Sequence, residues 1–414
     1  MGAVTIELSI GLAELFTAQR RPFARGDLSL LLSAIAREHH GNGRSHRYIA
    51  ETRDKLAIGF ELLAVDADDH IARLQPSSLR RGIAGNPQNS IAAARLAALG
   101  ASRDAKIAAK APRTFKKHAA CIEQKGGLAV GDALGTSLEF KARDTYPRLT
   151  DMVGGGPFGL KPGEWTDDTA MALALADSLI AEGEINEHDL MRRFLSWYEQ
   201  GAYSCTGTCF DIGITTRQAL MRFKASGDPI AGSIDPNTAG NGSLMRLAPV
   251  AIRFHRNRAK LRDAAARQSK TTHAAPEAVD ACVVYAEMLA DAIEGRPVSE
   301  VLHGPMGNWA GAIGKIAAGS WRGKPRQEIH ASGYVAHSLE ASLWSVARSG
   351  TFAEAVLLAA NLGEDADTTA AITGQLAGAL HGASSILGPW IEWLAWKGRI
   401  DGMADALLGS ANSD

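Results

Sequence analysis

Cysteine is scarce in this 414-residue chain. Four residues, Cys121, Cys205, Cys209 and Cys282, are too few to staple a disulfide framework at this size. The Cys205-x-x-x-Cys209 pair has no second pair at ligand spacing to complete a zinc site, so reduced structural thiols are the plain reading. Aromatic residues reach only 6%, while Ala and Gly abound, a mixture that favours closely packed helices over a β-sandwich. No apolar run approaches the roughly eighteen residues that a membrane-spanning helix needs. The N-terminus lacks a charged segment leading into an apolar run and a small-residue cleavage site. Ile6 stands where a myristoylation signal requires Ser or Thr. The cytosol is therefore the expected compartment. Net charge is almost absent too, at −1, so the whole protein has no global attraction for nucleic acid or an anionic membrane.

What is present is a hydrophobic fraction of 46%, enough for a sizeable core, and a length that suits one large domain plus an added segment. The charge is unevenly spread. Residues 1–118 hold 18 Lys and Arg against 11 Asp and Glu, a surplus of +7 that leaves −8 for the remainder. The asymmetry divides the chain, as an expectation, into a basic, mainly helical extension at 1–118 and a domain at 119–405. Within the extension, apolar residues recur at helical spacing from about 8 to 40 and from 49 to 63, and an Ala-, Lys- and Arg-rich run ends near Lys117.

From Ile122 onward, long apolar periodic segments alternate with Gly-rich polar turns, and alternating β-branched stretches are rare. The pattern predicts an all-α domain with helices near 123–140, 168–182, 187–200, 209–225, 243–254, 259–269, 275–294, 335–349, 352–361 and 367–383. Gly374, Gly378 and Gly382 recur every fourth residue, a smooth ridge on which a neighbouring backbone can lie close.

Three carboxylate-bearing motifs stand out. Gly131-Asp132-Ala133-Leu134-Gly135 is followed by Glu139, four residues after Gly135, so a helix would leave room beside that carboxylate. Trp165-Thr166-Asp167-Asp168-Thr169 and Gly363-Glu364-Asp365-Ala366-Asp367-Thr368-Thr369 each precede an apolar helical run. Helix capping is the bland explanation of the last two, since one oxygen at the N-cap and acids in the first turn suit a helix start. Capping needs one such oxygen, however, not three or four. So dense a set of like charges is relieved best by bound cations, and hard oxygen donors without His or Cys point to Mg²⁺, Mn²⁺ or Ca²⁺.

Two polar turns add to this. Gly240-Asn241-Gly242-Ser243-Leu244-Met245-Arg246 can converge backbone N–H groups on an anion, although Asn-Gly is a common turn by itself. Gly207-Thr208-Cys209-Phe210-Asp211-Ile212-Gly213 has similar character. His273 sits just before a helix, where a single His is more often a cap or a satisfied polar group than a catalyst.

Taken in order, the strings GLAVGDALGTSLEF, EWTDDTAMALALADSL, GTCFDIG, GNGSLMRLAPVAI, THAAPEAV and NLGEDADTTAAITGQLAGALHG resemble the ADP-ribosylglycohydrolase family, of the dinitrogenase-reductase-activating type, over roughly 120–385. The resemblance implies an all-α fold around a cleft holding two Mg²⁺ or Mn²⁺ ions. It implies Glu139, Thr166, Asp167, Asp168, Asp365, Asp367 and Thr368 as metal ligands, with Glu139, Asp167, Asp168 and Asp211 carrying the chemistry. It implies Asn241, Gly242, Ser243, Met245 and Arg246 as the loop that binds ADP-ribose, with Phe158 and His273 near the same ligand. The expected reaction is removal of ADP-ribose from protein side chains, with arginine as the expected acceptor. Where the family often has Gly-Gly-Asp, this chain has Gly363-Glu364-Asp365. Some members protect bacteria from ADP-ribosyltransferase toxins, so residues 1–118 could bind such a toxin or even neutralise it by blocking its active site. An ordinary accessory helical segment explains them equally well.

Overall fold

The computed structural model describes residues 126–382 and 385–411; the helices expected within residues 8–117 lie outside them. The chain divides into two compact units, Met1–Ala111 and Pro112–Asp414. The described part of the second unit is all-α, with three isolated β-bridges and no strand among the described residues.

Its helices are α1 (126–135), α2 (Asp167–Glu182), α3 (Glu187–Gln200), α4 (Ile214–Ser226), α5 (Ala248–Phe254), α6 (Arg258–Lys270) and α7 (Pro276–Ile293). They continue with α8 (Val298–Val301), α9 (Ile313–Ala317), α10 (Val335–Ala347), α11 (Phe352–Ala360), α12 (Ala366–His381), α13 (Gly388–Trp393) and α14 (Lys397–Ala411). Helix α12 is the axis, packing against α11, α10, α7 and α2. Its residues are buried from Ala366 through Ala379, which explains a sequence that is apolar or small on every side. Helix α2 is buried almost as completely and ends where Gly183 takes a left-handed conformation, φ 77°.

Three of the expected helices are shorter than their patterns. The first stops at 135 and tightens into one 3₁₀ turn, Thr136–Leu138, so Glu139 caps that turn and does not sit on an α-helical face. Helix α4 begins at Ile214 because Asp211 has φ 58°, which breaks the backbone before it. Helix α5 begins at Ala248 because 241–247 is a run of turns. Helix α14 carries no obvious signal, with Gly398, Gly402 and Gly409 in it. It forms because Ile400, Met403, Ala404, Leu407 and Leu408 bury one stripe, and it packs on α2 and α5.

A very close backbone approach joins α1 to α12. A Cβ added to Gly127, Gly131 or Gly135 would meet the carbonyl oxygens of Gly374, Ala370 and Ala366 at 2.3, 2.2 and 2.4 Å. The smooth ridge that matters is thus on α1. Of the glycines expected to form it on α12, Gly374 faces Gly127, whereas Gly382 is the helix C-cap at φ 88°. The space beside Gly135 is filled by α12 backbone.

Candidate metal centre

The seam brings Asp132 and Glu139 to the starts of α2 and α12, where each does the work expected of a local cap. Asp132 is fully buried. Its Oδ1 accepts from the Thr166 N–H (2.9 Å) and hydroxyl (2.9 Å), and its Oδ2 accepts from the Thr169 N–H (3.0 Å) and hydroxyl (2.6 Å). Glu139 Oε2 accepts from the N–H groups of Ala366 (2.8 Å) and Asp367 (3.3 Å). Neither Thr166 nor Asp365, the N-cap residues themselves, makes a side-chain cap bond. Supplying the caps from α1 and the turn after it releases the acids of both motifs for another task.

Those acids converge. Asp132, Asp168 and Asp367 offer carboxylate oxygens within 4.8 Å of one another, and so do Glu139, Asp365 and Asp367. Asp367 belongs to both groups. The Thr166 hydroxyl lies 3.2 Å from Asp367 and 3.5 Å from Asp168, and the Thr368 hydroxyl lies 3.3 Å from Asp168. Burial, then the Asp367 charge, pushes Asp132 and Asp365 up to about 7 and Glu139 up to about 12. Asp167 and Asp168 are also raised well above the usual carboxylate range, first by burial and then by neighbouring carboxylates. Among the described residues, no Lys or Arg forms an ion pair with any of them. Asp168 Oδ1 is buried with no hydrogen-bond partner among the described residues. An all-oxygen set, two overlapping triads and an orphaned carboxylate oxygen fit hard divalent cations.

Asp211 interacts electrostatically with the same cluster. Burial, followed by Asp167 and Asp367, raises it to about 11. Its left-handed φ is shared by Phe140 (60°) and Glu364 (61°), which flank Glu139 and Asp365. Phe140 N donates to Glu364 O at 2.8 Å, and Glu364 N donates to Lys141 O at 2.8 Å, so the two strained residues hold each other. This backbone explains why glycine suits the position of Glu364. Phe158 meets Phe140 edge-to-face (centroids 6.2 Å) and Phe210 at a tilt (5.2 Å), so an aromatic trio spans the neighbours of Glu139 and Asp211.

The 241–246 turn lies along the same cleft. Asn241 donates from Nδ2 to Asp365 (2.7 Å) and to Ser338 Oγ (2.8 Å), while its carbonyl accepts from Leu244 (2.8 Å) and Met245 (3.1 Å) N–H groups. Main-chain carbonyls fix this arrangement: Ala331 O accepts from Asp365 N (2.9 Å), and Gly333 O from Asn241 N (3.1 Å). Met245 Sδ is 4.0 Å from Thr368 Oγ1. Gly242 lies under the His273 ring, where a Cβ would meet Cε1 at 2.8 Å. Burial, with Arg246 next, drops His273 to about 3, so the ring is neutral. Ser243 and Arg246, expected to touch ADP-ribose, are wholly buried. Ser243 Oγ lies 2.8 Å from Ser269 Oγ. Arg246 binds Gln268 and Thr272 and stacks over Phe194 at 4.6 Å, so its side chain props the loop from below.

Asp132 is the participant that the motifs alone did not single out. The signal was its place in Gly131-Asp132, one turn before Gly135, on the face that the seam turns toward α2 and α12.

Similarity to known proteins agrees with this geometry. Residues 126–414 match the model of the ADP-ribosylglycohydrolase family. The chain is 46% identical over 286 residues to an ADP-ribosylarginine hydrolase, Tri1, of Pseudomonas putida (strain GB-1), covering 69% of this chain and 76% of that protein. It is 32% identical to the ADP-ribosyl-[dinitrogen reductase] glycohydrolase of Rhodospirillum rubrum, covering 70% of this chain and 95% of that one. A solved ADP-ribosylglycohydrolase-related protein complex contains a chain that superposes with a TM-score of 0.64 at 38% identity, over 72% of this chain and 99% of that chain. The chain belongs to the ADP-ribosylglycohydrolase family. It is an enzyme of that hydrolase class, with an acidic cluster suited to metal.

Proposed function

We propose that this protein cleaves the N-glycosidic bond between ADP-ribose and arginine side chains of modified proteins, using two Mg²⁺ or Mn²⁺ ions. The observation that carries the reading is the pair of carboxylate triads sharing Asp367. Thr166, Asp167, Asp168, Asp367 and Thr368, with Glu139 and Asp365, would hold the ions. Bound there, divalent cations supply Lewis acidity and a fixed seat for ribose hydroxyls. The protein's own part is to position and to manage protons. Asp132 and Glu139 hold the starts of α2 and α12 in register. The Asn241–Met245 turn, backed by His273 and Arg246, seats the ADP-ribose, and Phe158 walls one side. Asp211 would give a proton to the departing guanidino nitrogen as its bond to the anomeric carbon breaks, and take one back from the water that adds there. The arginine acceptor rests on the activity for which the Tri1 relative is named.

The test is a Mg²⁺-dependent release assay on arginine-linked and serine-linked ADP-ribosyl proteins in parallel. We expect release from arginine, lost by about a thousandfold or more in Asp367→Asn, because a ligand common to both ions is gone. Equal turnover by that variant overturns the metal reading, and preference for serine overturns the acceptor.

For residues 1–118 we propose contact with an ADP-ribosyltransferase toxin. The +7 surplus supports it, as does their lying outside the family match. A chain beginning near Lys117 should still hydrolyse its substrate yet no longer bind a transferase; binding that persists in this truncation overturns the proposal.

A further inference from the structure

A cavity of about 350 Å³ opens among the end of α8, the 321–323 turn and the last turn of α10. Leu302, His303, Trp321, Arg322, Trp344 and Arg348 line it. Helix α10 relates it to the acidic cluster: Ser338, which receives the Asn241 side chain, lies ten residues before Arg348, about 15 Å along the axis. None of the residues lining the cavity belongs to the cluster.

Its walls combine flat apolar faces with charge. Arg322 lies over the Trp321 ring at 4.8 Å and Arg348 over the Trp344 ring at 4.7 Å. Both guanidinium groups are exposed and, among the described residues, hydrogen-bond to main-chain carbonyls, Arg322 to Leu302 O (2.9 Å) and Ala318 O (3.3 Å), Arg348 to Lys324 O (2.8 Å). Among the described residues, neither pairs with a carboxylate, although Lys324 between them pairs with Glu340 at 2.7 Å. The indoles differ as well. Trp344 Nε1 donates to Lys324 O at 2.9 Å, whereas Trp321 Nε1 is buried without an acceptor among the described residues. Two five-donor guanidinium forks that meet no carboxylate are suited to an anion between them.

We propose that this cavity binds a small organic anion, a phosphate or carboxylate carried on a flat ring. The two guanidinium groups meet the charge, and the ring lies against the Trp–Arg walls. The volume lies in the range of small-ligand sites.

Phenyl phosphate and inorganic phosphate are the probes, titrated calorimetrically into the full-length protein with tryptophan fluorescence read in parallel. We expect saturable binding of phenyl phosphate, about tenfold tighter than inorganic phosphate, and weakened about tenfold or more in Arg322→Gln/Arg348→Gln. Binding should persist in Asp367→Asn, whose lesion lies in the acidic cluster. Arg348→Gln alone, on an exposed helix end, serves if the double variant loses its circular dichroism signature. Absence of saturable binding, equal affinity for the two probes, or binding indifferent to the arginine substitutions would each overturn the proposal.

Discussion

Asp132 shows how one residue can govern a centre through its neighbours. Each carboxylate oxygen accepts two bonds, so Thr166 and Thr169, on either side of Asp167 and Asp168, are pinned to a single side chain. Asp132→Asn replaces one acceptor oxygen with an NH₂ donor, setting two of those four bonds against it. We expect cation affinity to fall by about ten- to hundredfold, as for other groups that orient ligands, with the fold retained. Titration calorimetry with Mg²⁺ checks this; an unchanged affinity would show that the turn holds itself. Most of the acidic residues were legible because acids at that density have no ordinary structural use. Asp132 was less so, because its role depends on Thr166 and Thr169, more than thirty residues away. What the Arg246 side chain does was not legible for a related reason: its guanidinium stacks on Phe194 and bonds Gln268 and Thr272, all distant in sequence.

At the level of helices, periodicity located α2, α3, α6, α7, α10, α11 and α12 closely, since each buries a stripe or its whole surface. It failed at the starts of α4 and α5, where the chain turns through Asp211 and through 241–247 to aim side chains at the cleft. It missed α14, which tertiary packing imposes on a glycine-bearing sequence. The α1–α12 seam was hidden because a glycine repeat does not name its partner. Gly131→Ala would place a methyl group 2.2 Å from Ala370 O, so the helices must part. We expect a cost of about 1–3 kcal/mol and weaker Mg²⁺ binding, as Asp132 and the start of α12 move together. Gly126→Ala, with nothing within 4 Å of the new carbon, is the control and should change neither property. Urea unfolding of the two variants separates them, and a Gly131→Ala protein as stable as the parent would refute the seam.

Across the whole domain, the acidic cluster makes stability depend on pH and on cations together. Asp132 and Asp365 rise from 3.8 to about 7 on folding, so between those values the folded, metal-free protein holds protons that the unfolded chain has released. Stability is therefore greatest at the acid end of that window and is lost as pH rises through about 7. Cations favour the ionised carboxylates and should reverse this loss. Scanning calorimetry should find that Mg²⁺ raises Tm little near about pH 5 and by several degrees near about pH 8. A shift of equal size at both would contradict it. The loop from Ala331 to Gly333 has a different kind of influence. It fixes Asp365 and Asn241 through peptide oxygens, with Ala331 buried in the core and Gly333 so near that an added Cβ would lie 3.4 Å from Asp365 Oδ2. Any change in the path of these three peptides would therefore shift Asp365 and Asn241 as a pair, so the acidic cluster and the 241–246 turn are tied to one short stretch of backbone.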